Sequence, residues 1–214
     1  MGPLSLDHVA LWVAGRERIV AAAEAKLGLR VIERTDRFTL LGDDPRRGKL
    51  TLFDGGTEGA REQGALARIG LRVASLDGRP AAIELGEGID VALVERPEGP
   101  DLDLDHVALV SSDPAAAATG WERLGFLRVS ESRVSVGGAH VDLLSGEPGK
   151  PDRPLLNHIG VLVESVEEQR AAVEELGVEI DELVDAPNTV ALFVWGPDRV
   201  RLEYIEHKPS FALA

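Results

Sequence analysis

The sequence predicts an α+β fold: four βαβββ modules, the second truncated, paired into two cup-like mixed β-sheet domains with helices outside. Three observations predict it. The segment Leu-Asp-His-Val-Ala-Leu occurs twice without change, at 6–11 and 104–109. Leu-Asn-His-Ile-Gly-Val at 156–161 is a third relative, and Ala67-Arg68-Ile69-Gly70-Leu71 a weaker fourth. A helix-like stretch and then a Leu-Gly pair follow each copy, at Leu27-Gly28, Leu85-Gly86, Leu124-Gly125 and Leu176-Gly177. One order of signals, met four times, marks an internal repeat. A single βαβββ unit cannot close a core, whereas two can join their strands into one curved sheet.

The apolar runs that open the copies, such as 107–110 and 159–163, suit buried strands. In the third copy Ser112-Asp113-Pro114 reads as a helix cap followed by a proline in the first turn. In the fourth, Ser165 can cap a helix whose glutamates 167, 168, 174 and 175 face out while Val166, Ala171, Ala172, Val173 and Leu176 face mostly in. Gly125 and Gly177 read as left-handed caps. Further strands are expected at 127–130, 133–136 and 139–144 in the third copy, and at 179–184, 189–195 and 200–205 in the fourth. Copy one ends in a strand at 49–53. Copy two, about 67–98, is short by one or two strands. Linker-like stretches at 55–64, 98–103 and 146–154, rich in Gly, Pro and charge, divide the copies. The expected partition is residues 1–98, a structural N-terminal module pair, and residues 99–214, a C-terminal pair carrying the site.

Composition narrows the chemistry. Hydrophobic residues make up 44% of the 214, enough for a true core. A net charge of −14 argues against nucleic acid or an anionic membrane as a partner. With no cysteine, disulfides, thiolate nucleophiles and cysteine metal sites are excluded, leaving histidine and carboxylate as the strong metal ligands. No signal peptide or membrane-length apolar run is read, so the expectation is a cytoplasmic protein.

Aligning the copies places His8, Arg68, His106 and His158 at one position of the first strand. It places Thr51, Asp142 and Glu203 at one position of the last. Copies three and four thus offer His106, His158 and Glu203, with small neighbours Ala108 and Gly160 leaving room beside the imidazoles. A buried carboxylate needs a partner. Two imidazoles and a carboxylate around a divalent ion supply one, and they form a facial triad with open positions. His8 has no ligand partners in its own module pair and reads as structural. Asp142 is a fourth ligand, a hydrogen-bond acceptor behind the ligands, or simply a polar cup residue. His140 shares its face and is either the acid/base or an edge-strand histidine facing solvent. His207 reads as a surface residue. Phe193 and Trp195 are substrate-pocket candidates or core.

The recurring Asp/Asn-His-Val/Ile-Ala/Gly strand, the Leu-Gly pairs, and Trp195-Gly-Pro-Asp-Arg-Val-Arg-Leu-Glu-Tyr204 resemble the vicinal oxygen chelate superfamily, which includes glyoxalase I, bleomycin-resistance proteins and type I extradiol dioxygenases. The four-copy layout is most similar to the extradiol dioxygenases. That resemblance implies metal ligands at His106, His158 and Glu203, an acid/base at His140, and Fe(II) or Mn(II). Phe193 stands where that family usually has tyrosine, and its additional fourth-module histidine is absent. Three functions follow as expectations. The first is a dioxygenase acting on an aromatic diol. The second is a glyoxalase-like lyase or isomerase using Zn or Ni on a vicinal-oxygen compound. The third is a metal-free small-molecule binding protein. Pairing across chains into a homo-oligomer is left open.

Overall fold

The computed structural model describes residues 2–56 and 59–211; Met1, residues 57–58 of the first linker-like stretch, and residues 212–214 lie outside the described residues. Module one comprises β1 (Ser5–Val13), α1 (Arg16–Leu27), β2 (Arg30–Arg34), β3 (Phe38–Gly42) and β4 (Lys49–Asp54). Module two has three strands, β5 (Leu66–Val73), β6 (Ala82–Glu84) and β7 (Asp90–Glu95). Module three is β8 (Asp103–Ser111), α2 (Pro114–Arg123), β9 (Leu127–Ser130), β10 (Arg133–Val136) and β11 (Ala139–Ser145). Module four is β12 (Leu156–Leu162), α3 (Val166–Glu175), β13 (Ile180–Asp185), β14 (Thr189–Trp195) and β15 (Arg201–His207). No helix among the described residues is long and apolar enough to cross a membrane.

The helix signals act as their chemistry requires. Asp113 accepts from the Ala116 amide and Ser165 from the Glu168 amide, each satisfying an otherwise orphaned donor. Gly28, Gly125 and Gly177 have positive φ at the helix ends. Module two differs from the expectation. It has lost its helix as well as one strand, and Leu85-Gly86 is the turn between β6 and β7, closed by a bond from the Leu85 amide to the Ile89 carbonyl.

The strands form an eight-stranded sheet, ordered β13-β14-β15-β12-β1-β4-β3-β2, and a seven-stranded sheet, ordered β6-β7-β5-β8-β11-β10-β9. This corrects the expected pairing. Module one joins module four through antiparallel β1 and β12, and module two joins module three through antiparallel β5 and β8. A division into 1–98 and 99–214 would cut both sheets. The physical reason lies in the linkers. The short turn at 98–103 keeps β7 and β8 in one sheet, whereas 55–64 and 146–154 carry the chain from the first sheet to the second and back. These two crossings run side by side. The Glu62 amide donates to the Arg153 carbonyl at 3.0 Å, and the Leu155 amide to the Glu62 carbonyl at 2.6 Å.

One hydrophobic cluster draws on both sheets and all three helices, including Val9, Leu11, Ile19, Trp121, Val173 and Tyr204. Alternation along each strand sends Val9, Leu11 and Val13 into this core and His8, Ala10 and Trp12 to the concave face. Tyr204 of β15 is fully buried, and its hydroxyl donates to the Leu124 carbonyl at the end of α2, at 2.8 Å. That bond ties the first sheet to module three. Tyr204→Phe should leave the Leu124 carbonyl unsatisfied and cost about 1–3 kcal/mol in a urea titration; an unchanged midpoint would show that the contact carries no stability.

Candidate metal centre

The β1–β12 seam sets the site. His8 lies opposite Gly160, and Ala10 opposite His158, so one imidazole from each strand projects over a small residue of the other. The fit is close: a Cβ on Gly160 would stand 2.3 Å from the His8 ring, so only glycine leaves room for it. β15 runs parallel to β12 and brings Glu203 opposite Gly160. On the other flank, β4 brings Thr51 opposite Ala10. The seam therefore has two matched flanking places, one filled by glutamate and one by threonine.

Three donor atoms converge. His8 Nε2 is 2.8 Å from His158 Nε2 and 2.9 Å from Glu203 Oε2, and His158 Nε2 is 2.8 Å from the same oxygen. All three residues are buried. The outer nitrogens are committed elsewhere: His8 Nδ1 donates to Asp7 Oδ2 at 2.7 Å, and His158 Nδ1 to Asn157 Oδ1 at 2.9 Å. In the neutral rings both Nε2 lone pairs then point at each other and at a carboxylate. Three acceptors at such distances repel unless a cation sits among them. A proton can relieve part of this. Burial alone would lower the His8 pKa, but Glu203 and Asp7 outweigh it and push it up to about 9. Burial holds His158 below its usual value. Burial opposes ionisation of Glu203, yet the two imidazoles hold its carboxyl well below the usual range.

One proton satisfies one of the three contacts, whereas a divalent ion satisfies all of them. Ligands about 2.1 Å from a metal stand about 3.0 Å apart on a face of an octahedron and about 3.4 Å apart in a tetrahedron. The observed triangle matches the octahedral face, so His8, His158 and Glu203 fit a metal. Behind them Asp7 is fully buried and accepts from Lys49 Nζ at 2.9 Å; burial opposes its ionisation, but Lys49 with His207 and His8 keeps it a carboxylate. A carboxylate behind a ligating imidazole fixes its tautomer and raises its basicity.

Aromatic rings enclose the triad. Phe193 and Phe53 stand 5.2 and 6.1 Å from the His158 ring, and Trp12 packs on Phe53 at 5.2 Å. Arg201 lies 3.9 Å over the Phe193 ring, with its charge held by Asp181 and Glu182. A cavity of about 1070 Å³ is lined by Trp12, Leu156, Asn157, Asp181, Trp195 and Arg201, together with residues 147–152. Leu156 and Arg201 are each two residues from a triad member on the same face, about 7 Å along the strand.

The sequence-derived residues are thus redistributed. His158 and Glu203 come together. His106 does not join them; it lies on β8 of the other sheet, and His8 takes the place expected for it. His140 lies beside His106, with ring centroids 5.1 Å apart, and so is remote from the triad. Asp142 is held by Arg133 through two bonds of 2.6 and 3.2 Å and is not a fourth ligand there. Phe193 packs against the triad, and Trp195 lines the cavity. His207, expected at the surface, is partly buried, 3.4 Å from Asp7 and stacked on Phe211 at 4.0 Å. His8 carries the same Asp-His signal as His106, so the motif pointed to it; the pairing of modules hid its partners.

Residues 103–204, a little under half of the chain, match the family model described as the Glyoxalase/Bleomycin resistance protein/Dioxygenase superfamily. The matched stretch holds modules three and four, which here lie in different sheets. Among solved structures, a Bacillus subtilis protein described as a candidate dioxygenase is similar at 18% identity, with 99% of this chain and 87% of that one covered and a TM-score of 0.78. Glyoxalase I from Zea mays is similar at 14% identity, with 94% and 92% covered and a TM-score of 0.72. The cppA protein of Streptococcus pneumoniae TIGR4 is similar at 17%, with 95% and 98% covered and a TM-score of 0.65. At these identities the likeness is one of fold. No curated protein sequence matches the chain.

Two substitutions test the geometry. Gly160→Ala should displace the His8 ring, and Asp7→Asn should lower divalent-metal affinity about 10–100-fold, both read by competition with a chelating dye. Unchanged affinity in both would remove His8 from the site.

Proposed function

We propose that the chain is a metal-dependent enzyme of the extradiol dioxygenase kind, acting on a catecholic substrate, with His8, His158 and Glu203 as its metal ligands. The observation that carries this reading is the set of three converging donors whose fourth matched place is Thr51. A glyoxalase-like lyase or isomerase with four protein ligands would call for an imidazole or carboxylate there. A neutral hydroxyl is a poor substitute, and three protein ligands leave room for both oxygens of a vicinal diol and one further small ligand. Fe(II) or Mn(II) suits this donor set and reaction; Zn or Ni would accompany the lyase reading. When bound, an iron ion supplies Lewis acidity toward two adjacent oxygens and electron transfer with dioxygen.

The chain's own residues supply the rest. Lys49 neutralises Asp7, so Glu203 and a divalent ion leave one net positive charge in a low-dielectric pocket. That charge favours the ionised form of a diol. With His140 in the other cup, proton loss from the substrate rests on this field rather than on an adjacent histidine. Phe53, Phe193 and Trp12 offer flat apolar walls that suit an aromatic ring and exclude water. Asp7 and Asn157 hold the imidazole planes.

The test is metal content after anaerobic purification, followed by oxygen uptake with a catechol panel. Near-stoichiometric iron or manganese is expected, lost in His8→Ala and in His158→Ala and kept in His106→Ala, with uptake falling at least 100-fold in the first two. Iron-loaded protein that consumes no oxygen with any catechol, or activity that persists anaerobically with zinc or nickel, would overturn the dioxygenase reading in favour of a lyase or isomerase. A wild type that binds no divalent ion after reconstitution would overturn the metal-enzyme reading itself.

A further inference from the structure

The second sheet keeps a concave face of its own, and its residues are of a different kind. Strand register draws one row across it: Ala82, Ala92, Gly70, His106, His140, Ser135 and Leu127 lie side by side. His106 sits over Gly70 as His8 sits over Gly160, since a Cβ on Gly70 would stand 2.3 Å from its ring. The seam of this cup is therefore built like the first. At the matched places, however, Arg68 stands in place of the second histidine, Ala92 in place of Glu203, and Asp142 in place of Thr51. A guanidinium does not ligate a metal and is always charged. This cup carries a fixed cation at that place, beside a more exposed group of donors, Asp105, His106 and His140.

Most charges on the face have partners; Arg72, two residues beyond Gly70, donates to the Gly138 carbonyl. Arg133 holds Asp142. Asp105 is held by His106 at 2.8 Å and by Arg96 at 3.4 Å. Arg68 is exposed and forms no hydrogen bond or ion pair among the described residues. It shares the concave face with Gly70, two residues on. A third observation concerns the apolar side chains. Among the large hydrophobics exposed on this chain, Leu127 (72%), Val129 (59%) and Leu144 (46%) belong to the second sheet. Leu144 pairs with Val110 on the face of His140 and His106, and Leu127 pairs with Ser135, the neighbour of His140. Arg128, between Leu127 and Val129, turns the other way, to Thr119 and Glu122 of α2. The exposed apolar residues and the unpaired guanidinium thus lie on one face of the sheet. From β5 to β11 is about 10 Å across the sheet, and to β9 about 19 Å along its curve.

We propose that this second cup binds a small organic monocarboxylate, its carboxylate paired with Arg68 and its apolar body lying along Val110 and Leu144 toward Leu127 and Val129. A planar guanidinium matches a carboxylate in a two-bond fork, and apolar side chains with a few placed polar groups are the usual lining of a small-molecule site. The site is separate from the metal centre and stands whether or not the first cup is an enzyme.

The experiment is a fluorescence titration of the full chain with 2-naphthoate, and with neutral 2-naphthamide as comparator. Saturable naphthoate binding is expected, at least ten-fold weaker in Arg68→Ala and unchanged in His158→Ala, with 2-naphthamide binding at least ten-fold more weakly than naphthoate to the unaltered chain. Leu144→Asp, which keeps Arg68, should also weaken it. Absence of saturable binding would overturn the proposal. So would equal affinity in Arg68→Ala, or loss in His158→Ala alone, which would place the ligand in the first cup. Sedimentation supplies the last arm: a dimer abolished by Leu127→Asp, with no naphthoate bound, would show that a second copy covers the face.

Discussion

The antiparallel pairing of β1 with β12 is the interaction on which the rest depends. It makes one sheet of the first and last modules and brings His8 against Gly160 and His158 against Ala10. It also lets β4 and β15 flank the seam with Thr51 and Glu203. Shifting the register by one residue would turn both imidazoles into the core and Val9 and Ile159 out of it. The apolar alternation that stabilises the sheet is therefore also what aims the ligands. Burial of Val9, Leu11, Leu52 and Ile159 fixes the register, and the concave face inherits its order from it.

Most of the fold was legible in the sequence because its signals are local. The repeated strand, the caps at Asp113 and Ser165, and the left-handed glycines each act within a few residues. Several strand limits, such as 127–130, 133–136 and 189–195, fell where alternation put them. What was not legible was which module joins which. All four opening strands present similar apolar edges, so pairing one with two or one with four satisfies the same hydrogen bonds. The choice is made by how far each linker reaches, and by Glu62 bonding across to Arg153 and Leu155, which no periodicity reports. The site was half legible for the same reason. Glu203 and His158 were found by alignment of the repeats, while His8 was set aside because its supposed partners were Thr51 and Arg68.

The two cups show how one backbone frame can be given opposite electrostatics by a few side chains. In the first, donors outnumber protons, and the hollow attracts a cation. In the second, Arg68 occupies the matched place and the remaining acids are already neutralised. The same strand frame occurs in both sheets. The seam glycines, Gly160 and Gly70, make room for it, since any side chain there would expel the histidine opposite.

The 150-residue separation of His8 and His158 bears on how the chain is made. The second sheet is one unbroken stretch of chain and can close as soon as it is synthesised. The first cannot: β1 must wait, with a bare edge, while everything up to β12 is added, roughly 10–30 s at ordinary elongation rates. A naked apolar edge kept waiting is an invitation to pair with a neighbour on the same message. Asp7, which later stands behind the site, is on that strand from the start, and a charge there makes such a mispairing costly.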